Sequence, residues 1–227
     1  MQTRPDELAT PFALAGPVPA IFERTPMFFL DLMRYARLLS LAVVLVVTGA
    51  CAVVAQTAGA TDRLGLPGPV RFAGVEHGLA WTARPTVRYF KQEYLPAGQR
   101  LETYTQMFIV ELTTAGTTPE AAVAAKIAML NQRKATDPVV NYEVVRNPAT
   151  GDIILDFLLS ASQGDSLIVE WNAYRYTAHG NGVALFAVSR RGYGAAARDF
   201  IASLRGSRAE TINALARLAL PELRPRP

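Results

Sequence analysis

From residue 87 onward, apolar and polar positions alternate in short runs separated by turn-forming residues. In "VRYFKQEYL", Val87, Tyr89 and Lys91 alternate against Arg88, Phe90 and Gln92; in "TQMFIVELT", Phe108, Val110 and Leu112 alternate against Met107, Ile109 and Glu111. A period of two sends successive side chains to opposite faces, so both runs predict strands, with Pro96, Ala97 and Gly98 in their connection. The period then changes. In "TTPEAAVAAKIAMLNQRKA", Val123, Ile127 and Leu130 recur at helical spacing, Thr118 is placed to cap, Pro119 takes the tolerated first position, Glu120 complements the dipole, and Arg133 and Lys134 mark the basic end.

Four more strand-like runs follow, "VVNYEVV", "IILDFLLS", "SLIVEWNAYRYT" and "VALFAVS", joined by the breaker-rich "NPATGD", "QGD" and "HGNG". Ile153, Leu155, Phe157 and Leu159 share one side; Leu167, Val169 and Trp171 are expected inward, with Glu170, Asn172 and Tyr174 outward. Short connections make this an antiparallel meander. Two helices are expected at the end. The first, "AAARDFIASLR", carries Ala197, Phe200, Ile201 and Leu204 and stops at Gly206; the second opens on a Ser207/Glu210 capping box and carries Ile212, Leu215 and Leu218.

Together these predict an α+β fold: an antiparallel sheet of about six strands, a helix after the second strand, and C-terminal helices packed on the sheet. The domain is expected over residues 87–220, preceded by an irregular Gly- and Pro-rich linker at 61–86 and followed by a disordered tail at 221–227.

The stretch "YLPAGQRLETYTQMFIVELTT" (Tyr94 to Thr114), the helix opening at Pro119, and the strands "DIILDFLLS" and "SLIVEWNAYRY" resemble the PsbP-like superfamily. That fold is shared by the photosystem II oxygen-evolving extrinsic protein, the Ran-binding Mog protein and DcrB-like bacterial envelope proteins. The resemblance spans roughly residues 87–204 and includes a "PxGxxxExWxxM" pattern in which Tyr104 stands where Trp is frequent. It implies a small exported bacterial protein of unassigned function, and fold likeness alone assigns no activity.

Upstream, "LLSLAVVLVVTGACAVVAQTAGA" (residues 38–60) carries no charge. Its strongly apolar part, Leu38 to Val47, is shorter than the roughly 20 apolar residues of a spanning helix, and small and polar residues follow it. Arg34 and Arg37 precede it, which is the layout of an export signal over residues 33–60. Met33 or Met27 is then the expected start, and residues 1–32 a gene-model extension or disordered preface. Cleavage after Ala55 or Ala60 would remove Cys51, the lone cysteine. The alternatives are lipidation at Cys51, whose preceding Gly49 and Ala50 suit a lipobox while Thr48 does not, or a retained anchor. In each case the flanking arginines place the rest outside the cytoplasm, most simply in the periplasm, with membrane contact only through residues 38–60.

Charge and chemistry add little to this picture. With 23 Lys and Arg against 19 Asp and Glu, the net charge of +4 is scattered and forms no stripe for nucleic acid. The two histidines, His77 and His179, have no metal-ligand spacing, and no cofactor motif occurs, so no cofactor or metal is expected. His77 beside Glu76 reads as an exposed polar pair, and His179 as a turn residue that a triad would need to bring to Ser160 or Ser166 and Asp165. Asp152, Asp156, Asp165 and Glu170 could supply an acid/base pair, although alternation sends Asp156 and Glu170 to an outer sheet face. More suggestive is a partner surface of Tyr174, Tyr176, Arg190, Arg191 and Tyr193, residue types that contact partners well. The expected function is a non-enzymatic envelope binding or accessory module engaging an envelope protein; the alternative is a small periplasmic hydrolase using the meander carboxylates or His179.

Overall fold

Eight strands form one curled antiparallel sheet, two more than the alternation of residues 87–193 predicts. They are β1 (Val70–Phe72), β2 (Val75–Thr86), β3 (Tyr89–Pro96), β4 (Gln106–Thr113), β5 (Asn141–Arg146), β6 (Ile153–Gln163), β7 (Ser166–His179) and β8 (Gly182–Tyr193). Their spatial order is β1-β2-β3-β4-β8-β7-β6-β5, so two four-stranded meanders meet along the β4–β8 seam. Helix α1 (Pro119–Arg133) connects the meanders, and α2 (Ala197–Arg217) follows β8 after the 3-10 turn Gly194–Ala196. The computed structural model describes residues 59–164 and 166–226, all within the unit Val54–Pro227. The expectations for the preface, start site and export signal, together with Cys51 and Asp165, lie outside the described residues, apart from the signal's last two positions. Among the described residues no helix is long and apolar enough to cross a membrane.

The expected linker at 61–86 is in fact the start of the domain. Its alternation is hidden because β2 slips register against β3 twice, between Leu79 and Trp81 and between Ala83 and Thr86. Each irregularity inserts an unpaired residue and breaks the period-two pattern from which a strand is recognised. Ahead of β1, Arg63 N and Leu64 N donate to Gln92 Oε1 (2.5 and 3.1 Å), and the Tyr94 hydroxyl donates to Leu66 O (2.7 Å). The tail expected to be disordered lies along the same segment: Arg224 N donates to Leu64 O and Arg226 N to Arg63 O, both at 2.7 Å. Leu223 is buried with Leu64 in one apolar cluster.

Helix α1 forms as its sequence predicts, with Ala121 N donating to Thr118 Oγ1 at the N-cap (3.2 Å) and Val123 and Leu130 buried. The two expected C-terminal helices are one. Gly206 lies inside α2, where it costs roughly 1 kcal/mol against alanine, and Ser207 caps nothing. The Ser207 hydroxyl instead donates back to Ser203 O (3.0 Å), as a mid-helix serine does. Packing of the whole helix on the sheet outweighs the local stop signal. Ile201, expected in the apolar stripe, is exposed.

Both faces of the sheet are covered, which corrects the expectation of one outer face. Met107, Ile109, Leu155, Phe157, Leu185 and Ala187 pack with Val123 and Leu130 of α1. On the opposite face Phe108, Val110, Trp171, Phe186 and Val188 pack with Leu204 and Leu215 of α2. Burying each large apolar side chain contributes about 1.5–3 kcal/mol. Two glycines of β8 permit the close approaches: a Cβ at Gly182 would lie 1.9 Å from Thr113 O, and one at Gly192 would lie 2.4 Å from the Phe200 Cβ.

Candidate functional site

On the α2 face, the sheet, the β1–β2 hairpin and the helix leave a recess of about 80 Å³. The hairpin turns through Ala73 (φ +47°) and Gly74 (φ +81°), a tight two-residue connection in which Ala73 takes a left-handed conformation that alanine disfavours. Phe72 and Val75 flank that turn and line the recess together with Val188. Gln106 on β4 and Arg190 on β8 are directly paired across the strands and line the recess, as Thr211 does from α2.

Arg190 is the distinctive group. Its Nη1 donates to Ser207 Oγ (2.9 Å) and its guanidinium stands 5.9 Å from the Phe200 ring centre. Among the described residues it makes no ion pair, and burial alone depresses its pKa. Behind Gln106, His77 is fully buried, not the exposed neighbour of Glu76 expected from sequence. Its Nδ1 lies 3.1 Å from Val75 O and 3.3 Å from Val70 O. Carbonyl oxygens only accept, so Nδ1 carries the proton; Nε2 then accepts from the Gln106 amide nitrogen (3.1 Å) and fixes the rotation of that amide. Burial lowers the His77 pKa, partly offset by the two carbonyls.

Two other arginines of this face, Arg175 and Arg208, are committed to structure, and Arg84 stacks 5.1 Å over the Phe90 ring. Arg175 is buried against Asp152 (2.6 and 2.8 Å) and donates through Nη1 to Leu215 O and Leu218 O, both at 2.9 Å, so it secures the C-terminal end of α2. Arg208 pairs with Asp156 and Glu143, and Asp156 also accepts from Trp171 Nε1 (2.6 Å).

Beneath α1 the charges form a closed network. Lys91 Nζ lies 2.9 Å from Glu93 and 3.6 Å from Glu111. Glu170 accepts from Arg191 (2.5 Å), Asn172 (3.0 Å) and the Tyr104 hydroxyl (3.0 Å). Burial pushes the Glu170 carboxyl up, but the Arg191 charge and these hydrogen bonds overcome it and hold it below the usual range. Lys126 faces the Phe157 and Tyr174 rings at 5.1 and 5.3 Å. Burial lowers its pKa, while Glu111 and Glu170 act in the opposite direction.

The expected partner surface therefore does not exist as one surface. Tyr174, Tyr176, Arg191 and Tyr193 belong to the α1 face, whereas Arg190 pairs in register with Trp171 and belongs to the other. Tyr176 is buried, Arg191 is bound to Glu170, and the Tyr193 hydroxyl donates to Tyr104 O (2.7 Å). Successive residues of a strand point to opposite faces, so Arg190 and Arg191 could not both have served. The hydrolytic candidates are separated too. Ser160 pairs with Val169, ten residues before His179, or roughly 33 Å along β7. The Ser160 hydroxyl donates to Asp137 (2.7 Å). Asp156 and Glu170 lie on opposite faces, each with its own arginine. Among the described residues no three of His, Cys, Asp and Glu converge as a metal site would require. Sequence reasoning missed Gln106, Ser207 and Thr211. Ser207 and Thr211 form a polar i, i+4 interruption in the buried stripe of α2, a signal concealed by ending that helix at Gly206.

Residues 64–220 match the model of an uncharacterised bacterial family, and the chain belongs to it. The match includes every strand and both helices of the described residues. No curated protein and no solved structure matches the chain.

Proposed function

We propose that this member of the family is an exported, non-enzymatic binding or accessory module of the bacterial envelope, and that it engages its ligand at the Arg190 recess. The observation that carries this reading is the contrast between Arg190, a half-buried cation in an open recess with a serine hydroxyl as polar partner, and Arg191, Asp152, Asp156 and Glu170, which are held in intramolecular ion pairs. Taking a charge out of water without an opposite charge is unfavourable, so a group held this way suits an incoming anion. The resemblance of residues 87–204 to PsbP-like envelope proteins supports an accessory role, and the basic-flanked apolar leader supports an extracytoplasmic location. The separation of His179 from Ser160 and of Asp156 from Glu170 lends the hydrolase alternative no support.

Photo-crosslinking in the native host tests this reading. With a crosslinking side chain in place of the exposed Val75 at the recess rim, a discrete product is expected that Arg190→Gln abolishes. Crosslinks that are unchanged by Arg190→Gln would remove the recess as the binding site.

A further inference from the structure

We propose that the recess at Arg190 binds a carboxylate carried on a short apolar stem. This rests on reading the recess as the module's binding site, and it names the chemical class of what enters.

Charge balance selects the anion. Arg190 is the one cation lining the recess, and the adjoining walls are Phe72, Val75 and Val188. A singly charged carboxylate would be neutralised there, whereas a phosphate monoester dianion would keep an uncompensated charge against apolar walls. Geometry agrees. One guanidinium nitrogen is used by Ser207, and the remaining edge of the planar fork matches the two oxygens of a carboxylate. Phe200, beside the guanidinium, and Ser207 restrict its swing from the helix side.

Size selects the stem. The recess has about 80 Å³ and a single buried water takes roughly 10–15 Å³, so only a head of a few heavy atoms fits. With the carboxylate on Arg190, the stem lies among Phe72, Val75 and Val188, the apolar side chains that line the recess. The left-handed Ala73 holds that turn tight, and the His77–Gln106 contact holds one polar wall in a single rotation. The features that shape the recess are therefore fixed before a ligand arrives.

Nuclear magnetic resonance titration tests the proposal, with the Arg190 Nε–H signal as the reporter and butyrate, acetate, butyramide and butyl phosphate as probes. Butyrate is expected to saturate with a dissociation constant in the millimolar range, several-fold tighter than acetate, with butyramide and butyl phosphate at least about tenfold weaker. Arg190→Gln should weaken butyrate by about tenfold or more. As an independent variant, Val75→Asp at the exposed rim introduces a competing carboxylate and should reduce butyrate binding while the amide spectrum remains that of the folded protein. A capped tripeptide with a free C-terminal carboxylate, run beside its amidated twin, separates two sources of the same chemistry. Tighter binding of the free-acid peptide than of butyrate assigns the carboxylate to a chain end; tighter binding of butyrate assigns it to a small acid.

Absence of saturation by butyrate, equal binding of butyl phosphate, or unchanged binding in Arg190→Gln overturns the carboxylate assignment. If the crosslink at position 75 still depends on Arg190 in that case, the recess remains the binding site for another ligand class. Loss of both results removes the site as well.

Discussion

The two faces of the sheet hold their buried charges in different ways. Beneath α1, Lys91 lies between Glu93 and Glu111, and Arg191 is held by Glu170. Even Lys126, which has no carboxylate in contact, stands in the fields of Glu111 and Glu170 as well as over two aromatic rings. Beneath α2, Arg175 and Arg208 are neutralised by Asp152, Asp156 and Glu143, whereas Arg190 has the Ser207 hydroxyl and the Phe200 ring beside it and makes no ion pair among the described residues. A cation embedded in a balanced network is accounted for by the fold, whatever its burial. One that the fold leaves unbalanced, beside a recess, is the ground on which ligand binding is proposed.

The largest effect should come from the α2 face. Asp152→Ala leaves Arg175 buried without its counter-ion and should cost about 3–5 kcal/mol in chemical denaturation, with α2 loosened at its C-terminal end. On the α1 face, Glu170→Gln removes the charge paired with Arg191 while conserving shape, and should cost about 1.5–3 kcal/mol by the same measurement. Gly192→Ala drives a methyl group into Phe200 and should cost about 1–3 kcal/mol, with the Arg190 signal shifted because that guanidinium faces the same ring.

A smaller effect is expected from pH. The folded pKa of His77 is depressed, so the folded state binds fewer protons there than the unfolded chain. Its contribution is complete above the unfolded value near 6.5 and is lost as pH falls toward the folded value. The thermal midpoint should fall between about pH 7 and pH 5, and less steeply in His77→Gln; equal slopes would show that His77 is not the titrating group. The depressed carboxyls of Glu170 and Asp137 follow the same sign, but their contribution is lost at lower pH, below about 4.5.

The smallest stability effect belongs to Arg190→Gln, which breaks no ion pair and should lie within about 0.5 kcal/mol of the parent. A loss comparable to that of Asp152→Ala would mean that Arg190 is as structural as Arg175 and would erase the distinction between the faces.

The elements whose signals are local were legible in advance. Helix α1 begins at its expected cap because Thr118, Pro119 and Glu120 act on the first turn alone. Strands β3 to β8 follow the alternation, except that Leu167, expected inward, is exposed; Phe108, Val110 and Leu112 lie on one face and Met107 and Ile109 on the other. Strand β2 was hidden by its register irregularities, and α2 was divided at Gly206 because a helix-breaking preference can be read in sequence while the packing that overrides it cannot. The recess was the least legible part. Arg190 is among the residues the sequence singles out, but the four side chains that accompany it there lie on the other face.

By itself the amino-acid sequence determined the α+β class, the cap of α1, the turns that close the meander and the inside-outside alternation of its strands, because each depends on residues within a few positions of one another. Only the tertiary structure decided that both faces are covered, that the 61–66 segment and the tail at 221–226 lie together, and that Arg190 meets Gln106, Ser207 and Thr211. Those outcomes depend on which strands become neighbours and which helix lies over them, distances set by packing between residues far apart in the chain.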